Sequence, residues 1–305
     1  MLKNRKWIIR SLMVLLSCLT LLQACRMNYP VERPARVTVV RRPELRAEGK
    51  RLTMLMCGSC HYDAKTKSLT GKQMKDAPGI VGKVFAANLT NDPSTGIFHY
   101  SDQELKVLFR TGISRQGKLM PYMLRPNLAD EDISAIITFL RSDDALVAPK
   151  PNTIGKTKYT PIGKFGISRT KPLRYTDQPV PKPAADTLAL GKYLVDNLAC
   201  YHCHSKSFLK LDYQSPERSK GYMAGGNRLK GADGKTIVTP NLTFHETGLK
   251  GWTENDLILL LRQGITRDKK IVRPPMPILP ELTDEEIVSM YKYLRKLPPV
   301  ENDTQ

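Results

Sequence analysis

Two copies of the pattern C-x-x-C-H, at positions 57–61 and 200–204, are the residues of this chain best suited to chemistry. In this pattern two thiols add across the vinyl groups of one porphyrin, and the adjoining histidine reaches the iron as proximal ligand. A structural zinc site or a redox dithiol also uses C-x-x-C. The histidine, however, follows immediately in both copies, and no βαβ pattern surrounds either one. The sequence therefore predicts two covalently bound haem c groups, held by Cys57, Cys60 and His61 and by Cys200, Cys203 and His204.

The first residues indicate where these groups would act. Four basic side chains within the first ten residues precede an apolar run from Ser11 to Leu22, which is too short to span a bilayer as a helix. We interpret residues 1–24 as an export signal. The following Cys25, preceded by Leu-Gln-Ala, resembles the lipidated cysteine of bacterial lipoproteins; cleavage nearby that leaves Cys25 as a thiol is the alternative. The prediction is a protein of the bacterial periplasm that is lipid-anchored to a membrane.

The chain is strongly basic, with 48 Lys and Arg against 29 Asp and Glu and a formal net charge of +19. Such a surface can steer acidic redox partners or hold a protein near anionic lipid headgroups. An ordinary solvated surface would have the same composition. Nucleic acid, another common partner of basic proteins, is not expected in the periplasm.

An internal repeat divides the chain into two units. Residues 88–115 read NLTNDPSTGIFHYSDQELKVLFRTGISR, and residues 241–267 read NLTFHETGLKGWTENDLILLLRQGITR. The two segments differ by one inserted residue, after which their glycines, aromatic residues and helix caps fall in step. Because each unit also contains one C-x-x-C-H, we infer two homologous domains with one haem site each.

The periodicity inside each unit is helical. Apolar residues at i, i+3 and i+4 follow capping boxes that begin at Ser101 and Thr253, and a third capping box begins at Thr283. The last helix of each unit carries an apolar stripe at i, i+3, i+4 and i+7. Since about 100 residues with few helices give a thin protein core, these stripes are expected to face the haem and the opening helix of the same unit.

Each unit resembles a class I cytochrome c domain, and the whole chain resembles a dihaem c-type cytochrome lipoprotein. In that family the first and last helices cross with a glycine against an aromatic residue; Gly49 with Phe139 and Gly191 with Tyr293 stand in those places. The second unit, with ETGLKGW, LRQGIT and PPMP, is also similar to cytochrome subunits of membrane-bound alcohol and aldehyde dehydrogenases. The resemblance implies an all-α fold in which two tandem cytochrome c domains are joined by a proline-rich, basic, irregular linker.

The predicted boundaries follow these patterns. Residues 25–45 would form a tether, 46–146 the first domain, 147–186 a linker or belt, 187–300 the second domain and 301–305 a tail. The central segment contains seven Pro and eight Lys or Arg, a composition that favours extended, irregular backbone over helix or strand. Structureless segments of this length are unusual in compact proteins, so it would alternatively pack across a domain as a belt.

The resemblance also implies a methionine as the second axial ligand of each iron. Met120 and Met276, each followed by proline, stand where the family places it. A thioether favours ferrous iron and raises the reduction potential, which suits outer-sphere electron transfer. Met123 is the rival in the first domain, and we favour Met120 because it aligns with the Met-Pro pair of the second.

Three histidines lie outside these ligand positions. His202 separates the two cysteines of the second motif and is expected at the surface, pointing away from the iron. His99 and His245 precede the capping boxes without aligning with each other. We therefore expect exposed loop positions for both rather than iron ligation.

These features predict electron transfer through two haems, between periplasmic or membrane redox partners such as a membrane-bound dehydrogenase or a terminal oxidase. No acid–base constellation accompanies the Met-Pro sites, so an electron carrier is favoured over an enzyme. Two alternatives remain. One is a dihaem oxidoreductase of the peroxidase or thiosulfate dehydrogenase type, with one iron open or differently ligated. The other is the cytochrome subunit of a membrane-bound dehydrogenase complex.

Overall fold

Helices are the main regular elements of the described residues, and two small antiparallel sheets accompany them there. The computed structural model describes residues 27–302 except 76, 78, 153, 154, 186, 208, 209 and 232. The predicted export signal and Cys25 lie outside the described residues. Short strands form in the loops that follow each C-x-x-C-H, so the expectation of an all-α fold is incomplete. Within the described ranges no helix combines the length and the apolar character needed to cross a membrane.

The first half opens on a helix that leads directly into the first C-x-x-C-H. Helix α1 (Arg46–Thr53) continues through a π-helical turn (Met54–Gly58) into α2 (Ser59–His61). Two more helices, α3 (Asp102–Thr111) and α4 (Asp130–Leu140), complete this half. Between α2 and α3, strands β1 (Gln73–Met74) and β2 (Gly82–Phe85) pair antiparallel, with residue 73 opposite residue 85.

The central segment packs along the first half instead of running free. Its strand β3 (Lys158–Tyr159) pairs antiparallel with β2, and α5 (Pro161–Ser168) follows. The expectation of irregular backbone throughout is wrong at α5. The Thr160 hydroxyl caps this helix by accepting the Gly163 N–H, and proline in the first helical turn needs no amide partner. The residues expected as a tether also begin on the first half, where the Leu119 N–H donates to the Met27 carbonyl.

The second half repeats the order of the first. Its elements are α6 (Leu188–Asn197), α7 (Cys200–His204), β4 (Arg228–Lys230), β5 (Thr236–Val238), α8 (Glu254–Gln263) and α9 (Asp284–Lys296). The three predicted capping boxes are confirmed, because at each one the cap hydroxyl accepts an N–H and the acidic side chain accepts the cap N–H. Helices α3 and α8 both end at a glycine in the left-handed conformation, with φ of 74° and 72°.

The first and last helices of each half cross at a glycine, as predicted. A Cβ atom at Gly49 would lie 1.9 Å from a carbonyl oxygen of α4 and 3.0 Å from Phe139 Cβ. At Gly191 it would lie 2.0 Å from a carbonyl oxygen of α9 and 2.8 Å from Tyr293 Cβ. The apolar stripes of the helices are buried around these crossings: Leu105, Leu108, Phe109, Ile133, Ile136, Ile137, Leu140, Leu257, Leu261, Ile287, Met290, Tyr291 and Leu294.

The two halves share a polar contact surface. The Arg51 guanidinium donates to both carboxylate oxygens of Glu286, at 2.9 and 3.0 Å. The Tyr193 hydroxyl donates to Asp132 Oδ2 at 2.6 Å and accepts the Ala129 N–H. Burial, with the Asp132 carboxylate beside it, raises the pKa of Tyr193 and keeps the phenol protonated. These directional bonds fix how one half sits on the other.

Candidate functional site

Both C-x-x-C-H segments line one continuous cavity of about 2490 Å³. A pocket for a single small ligand measures roughly 300–1,000 Å³, so this cavity has room for more than one large group. Its walls are mostly apolar. They include all the predicted attachment residues and all three candidate methionines: Cys57, Cys60, His61, Met120, Met123, Cys200, Cys203, His204 and Met276.

The two motif histidines are held in the same way. His61 Nδ1 lies 2.7 Å from the Ala87 carbonyl oxygen, and His204 Nδ1 lies 2.9 Å from the Pro240 carbonyl oxygen. A carbonyl only accepts, so each Nδ1 carries the proton and each Nε2 keeps its lone pair. Burial lowers the pKa of both rings, which favours the neutral form. A neutral imidazole whose outer nitrogen donates to a backbone carbonyl is the arrangement that proteins use for a metal ligand.

The residue before each NLT sequence supplies the carbonyl that holds the histidine. Ala87 and Pro240 directly precede Asn88 and Asn241, and each asparagine side chain accepts the backbone N–H two residues on, at 2.9 Å in both halves. This turn fixes the backbone that presents the carbonyl to the histidine. The two acceptors were missed in the sequence because a backbone carbonyl has no residue signature. The duplicated NLT was the available signal.

The cysteines of the two motifs differ from those of a redox dithiol. Burial raises the pKa of the Cys57 thiol to about 12, and it raises the pKa of the Cys200 thiol to about 12. Reactive C-x-x-C sites need a lowered thiol pKa. Among the described residues, no group of three or more His, Cys, Asp or Glu side chains has a geometry that could hold a metal ion directly. Each motif therefore presents two cysteines, the first with a raised thiol pKa, and one neutral imidazole to an apolar cavity, which fits a covalently attached haem.

The methionines leave the choice in the first half open. Met123 and Met276 pack, half-buried, against the hydrophobic core, and Met120 lies at the cavity wall. The Met120 N–H donates to the carbonyl of the glycine that ends α3, at 2.7 Å. In the second half Val272, not Met276, makes the corresponding bond to the glycine that ends α8. Met120 therefore corresponds to Val272 in the backbone hydrogen bonds, and not to Met276, because the second loop is longer. The alignment of the two Met-Pro pairs, on which the choice of Met120 rested, is not matched by the backbone.

His202 is not the surface group that was expected. Its ring meets Tyr201 edge-on at 4.6 Å and Tyr213 at 5.3 Å between centroids. Its Nε2 is buried and has no hydrogen-bond partner among the described residues. Burial, together with the charge of Arg125, lowers the pKa of His202 well below its usual value. The expectation failed because Tyr201 and Tyr213 pack around the ring, and Arg125 of the first half lies near enough for its charge to act on it.

Arg125 lies in the loop that carries Met120 and Met123. From this loop the Arg125 Nε donates to the Asn197 carbonyl at 3.0 Å, and the Asn127 amide donates to the Gln214 carbonyl at 3.0 Å. Asn197 ends α6, shortly before the second C-x-x-C-H. The methionine loop of the first site therefore contacts the end of α6, three residues before the C-x-x-C-H of the second site.

The two remaining histidines take no part in the cavity. His99 is exposed, and His245 is half-buried with its Nδ1 3.1 Å from the Thr247 hydroxyl. Neither lines the cavity wall.

Comparison with known proteins yields relatives over most of the chain, and no family model matches it. The cytochrome c subunit of a quinone-dependent alcohol dehydrogenase from Gluconobacter oxydans is 25% identical over 265 residues, which cover 80% of this chain and 52% of that subunit. The gluconate 2-dehydrogenase cytochrome c subunit of Pantoea cypripedii is 26% identical over 256 residues, covering 79% and 56%. A nicotinate dehydrogenase subunit of Pseudomonas putida is 28% identical over 233 residues, covering 74% and 19%.

The chain is thus related to cytochrome c subunits of dehydrogenases. It spans about half the length of the two cytochrome c subunits.

Proposed function

We propose that this chain transfers electrons between redox proteins by means of two covalently bound haem c groups, one at each C-x-x-C-H. The observation that carries the proposal is the duplicated histidine geometry: His61 and His204 both donate Nδ1–H to a carbonyl, and both line one apolar cavity beside two cysteines. Haem bound there would supply reversible one-electron chemistry.

The residues have distinct parts in this proposal. The cysteine pairs would hold each porphyrin by thioether bonds, and the histidines would ligate iron through Nε2. The carbonyls of Ala87 and Pro240 would fix the ring tautomer and raise the basicity of the ligand. Met276 would ligate the second iron and Met120 the first, with Met123 as its rival. A site closed by thioether and imidazole leaves no open position for a substrate, so the proposal is electron transfer and not bond chemistry.

The packing of the methionine loop on α6 supports a relay. Because Arg125 and Asn127 fasten this loop to Asn197 and Gln214 of the second half, the methionine loop of the first site lies beside the second C-x-x-C-H, and both sites open into one cavity. We place the relay between partner proteins in the bacterial periplasm, with a lipid on Cys25 as the proposed anchor.

A second candidate, the cytochrome subunit of a membrane-bound dehydrogenase complex, is favoured by the relatives. Two of them are named as cytochrome c subunits, of an alcohol and a gluconate dehydrogenase, and a third as a subunit of nicotinate dehydrogenase. In that case one redox partner is a catalytic dehydrogenase subunit. Affinity purification of the tagged chain from its own host, with identification of a stoichiometric cofactor-bearing subunit, would support this candidate over a free carrier.

Haem counting tests the main proposal. The chain matured in a bacterial periplasm is expected to hold two haems by pyridine haemochrome absorbance and by intact mass. The double variant Cys57→Ala/Cys60→Ala and the double variant Cys200→Ala/Cys203→Ala should each retain one, and Cys25→Ser, the matched thiol control, should retain both. Fewer than two haems in the unmodified chain, or fewer than two near-infrared methionine–ferric bands per protein, would contradict the proposal.

A further inference from the structure

A tight hairpin follows the glycine that ends α3, and another follows the glycine that ends α8. In the first hairpin Ile113 bridges to Leu119, and in the second Ile265 bridges to Ile271. Two residues before the second bridge partner, each hairpin has a residue in the left-handed conformation: Gly117 with φ of 76° and Lys269 with φ of 59°. The two hairpins therefore have the same backbone register.

In the first half the outer edge of this hairpin is paired. The Leu119 N–H donates to the Met27 carbonyl at 2.9 Å, and the Tyr29 N–H donates to the Gly117 carbonyl at 2.7 Å. The chain thus lays its own extended segment along the hairpin as an added strand. Leu119 is only 2% exposed as a result.

In the second half the same edge is open. No described residue bonds the Ile271 N–H or the Lys269 carbonyl, the counterparts of the two paired groups. Ile271, the counterpart of Leu119, is 69% exposed and also lies at the wall of the cavity proposed for haem, so the open backbone groups, and not this side chain, mark the edge as unpaired. An exposed strand edge with an apolar side chain is a ready template for pairing with another segment.

The surroundings of this edge are basic. Exposed cations lie on both sides of Ile271, namely Arg267, Lys269, Lys270 and Arg273, and Asp268 is the acid among them. Lys270 pairs with Asp268, which leaves a net positive rim. A segment that completes this edge with acidic side chains would gain both backbone bonds and complementary charge.

We propose that the edge formed by Lys269 and Ile271 docks an extended, acidic segment of a redox partner protein, which adds as a strand just as residues 27–29 do in the first half. Only the nature of the partner rests on the proposed electron transfer, because the edge itself is a property of the fold.

The described ends of the chain are engaged elsewhere. The extended segment from Met27 lies on the first half, and Asn302 is bonded to residues 224 and 247. A second copy would bring another basic chain against a basic rim. Like charges across an interface oppose association, so a partner of opposite charge fits better.

The test is a binding titration of the reduced, ¹⁵N-labelled holoprotein. The probes are acetyl-Thr-Glu-Val-Glu-Thr-Glu-amide and the matched peptide with lysine in place of each glutamate, at concentrations up to a few millimolar. The acidic peptide is expected to shift the Ile271 and Lys269 amide resonances, and the basic peptide is not. Ile271→Pro removes the N–H donor and should weaken the acidic peptide roughly two- to tenfold, as expected for one backbone hydrogen bond.

A second variant changes the charge of the edge without introducing proline, so the test does not depend on whether Ile271→Pro folds. Lys269→Glu/Lys270→Glu should lose the acidic peptide and bind the basic one, whereas Lys171→Glu, an exposed lysine of the central segment, should bind like the unmodified protein. Acidic-peptide binding that is absent, or that survives both changes at the edge, overturns the proposal. So does a dimer in analytical ultracentrifugation that Ile271→Pro dissolves, since a second copy would then be the occupant. Haem content measured on every variant separates failure of docking from failure of the haem proposal.

Discussion

Adding one carbon at either helix crossing should destabilise the protein, and the structure gives the size of the effect. An alanine Cβ at Gly49 would stand 1.9 Å from a backbone carbonyl oxygen of α4, and one at Gly191 would stand 2.0 Å from a carbonyl oxygen of α9. Ordinary contact needs well over 3 Å, so each helix pair must separate by more than 1 Å. Helix backbone cannot yield locally in the way that a side chain can, because the whole pair moves.

The free energy lost at the crowded contact is expected to exceed the free energy gained from the higher helix propensity of alanine. Alanine is favoured over glycine inside a helix by about 1 kcal/mol, whereas forcing extra volume into a packed contact costs about 1–3 kcal/mol or more. With a backbone atom as the obstacle, we expect a net loss of about 2 kcal/mol for Gly49→Ala and for Gly191→Ala. At roughly 2–4 °C per kcal/mol for chains of this order of size, the melting temperature should fall by about 4–8 °C.

Two control variants separate the crossing from glycine replacement in general. Gly58 is helical and its added Cβ would meet only the flexible end of Met54, at 3.3 Å; Gly79 has nothing within 4 Å. Melting followed by circular dichroism should show neither control variant more than about 2 °C below the unmodified holoprotein, which corresponds to about 0.5–1 kcal/mol. If Gly49→Ala and Gly191→Ala melt with the controls, the close crossing of the helices is refuted, and with it the packing that places each C-x-x-C-H.

Three further predictions concern the sites and the contact between the halves. Met120→Ala is expected to remove one of two near-infrared methionine–ferric bands and to lower the potential of one haem only, while Met123→Ala keeps both bands; the reverse result would assign Met123 as the ligand. Arg51 donates to Glu48 and lowers the pKa of that carboxyl below its ordinary 4.5, so the stability that this pair contributes is complete above pH 4.5 and is lost as the pH falls below it. Arg51→Met should therefore lower the melting temperature at pH 7 and flatten its decline in acid, and an unchanged acid limb would contradict the pairing. His202→Phe removes a buried nitrogen without a described partner and should leave the melting temperature unchanged or higher, whereas a drop of several degrees would show that the imidazole is bonded.

The helices could be predicted from the sequence because their signals are local. Ser101 and Thr253 each stand three residues before an acidic side chain, and the structure shows both capping boxes complete. The pairing of Gly49 and Gly191 with their aromatic partners came from the resemblance to cytochrome c domains, and the structure gives its physical reason, since the close crossing admits no Cβ. A capping box can be read from the sequence because each of its residue types meets one local geometric need.

The elements that were missed depend on contacts between distant segments. Helix α5 lies in a stretch whose proline and lysine content favours irregular backbone, and it forms where Thr160 caps it against the first half. His202 has a buried Nε2 because its ring packs against Tyr201 and Tyr213, and nothing in the C-x-x-C-H pattern indicates the contact with Tyr213. The carbonyls at Ala87 and Pro240 hold the motif histidines through the main chain, so no side chain at those positions could have indicated the role.

The duplication also shows how the two halves differ where partners would bind. The residues that would hold the haem are the same in both copies: two thiols, one histidine, and a carbonyl fixed by the NLT turn. The hairpin after the third helix of each half has the same backbone register in both, yet one copy is covered by the chain itself and the other is exposed. In the first half, residues 27–29 cover this edge. In the second half, the proposed strand of a partner protein would take their place. Under the proposed electron transfer, the second half would then be the one that faces the partner.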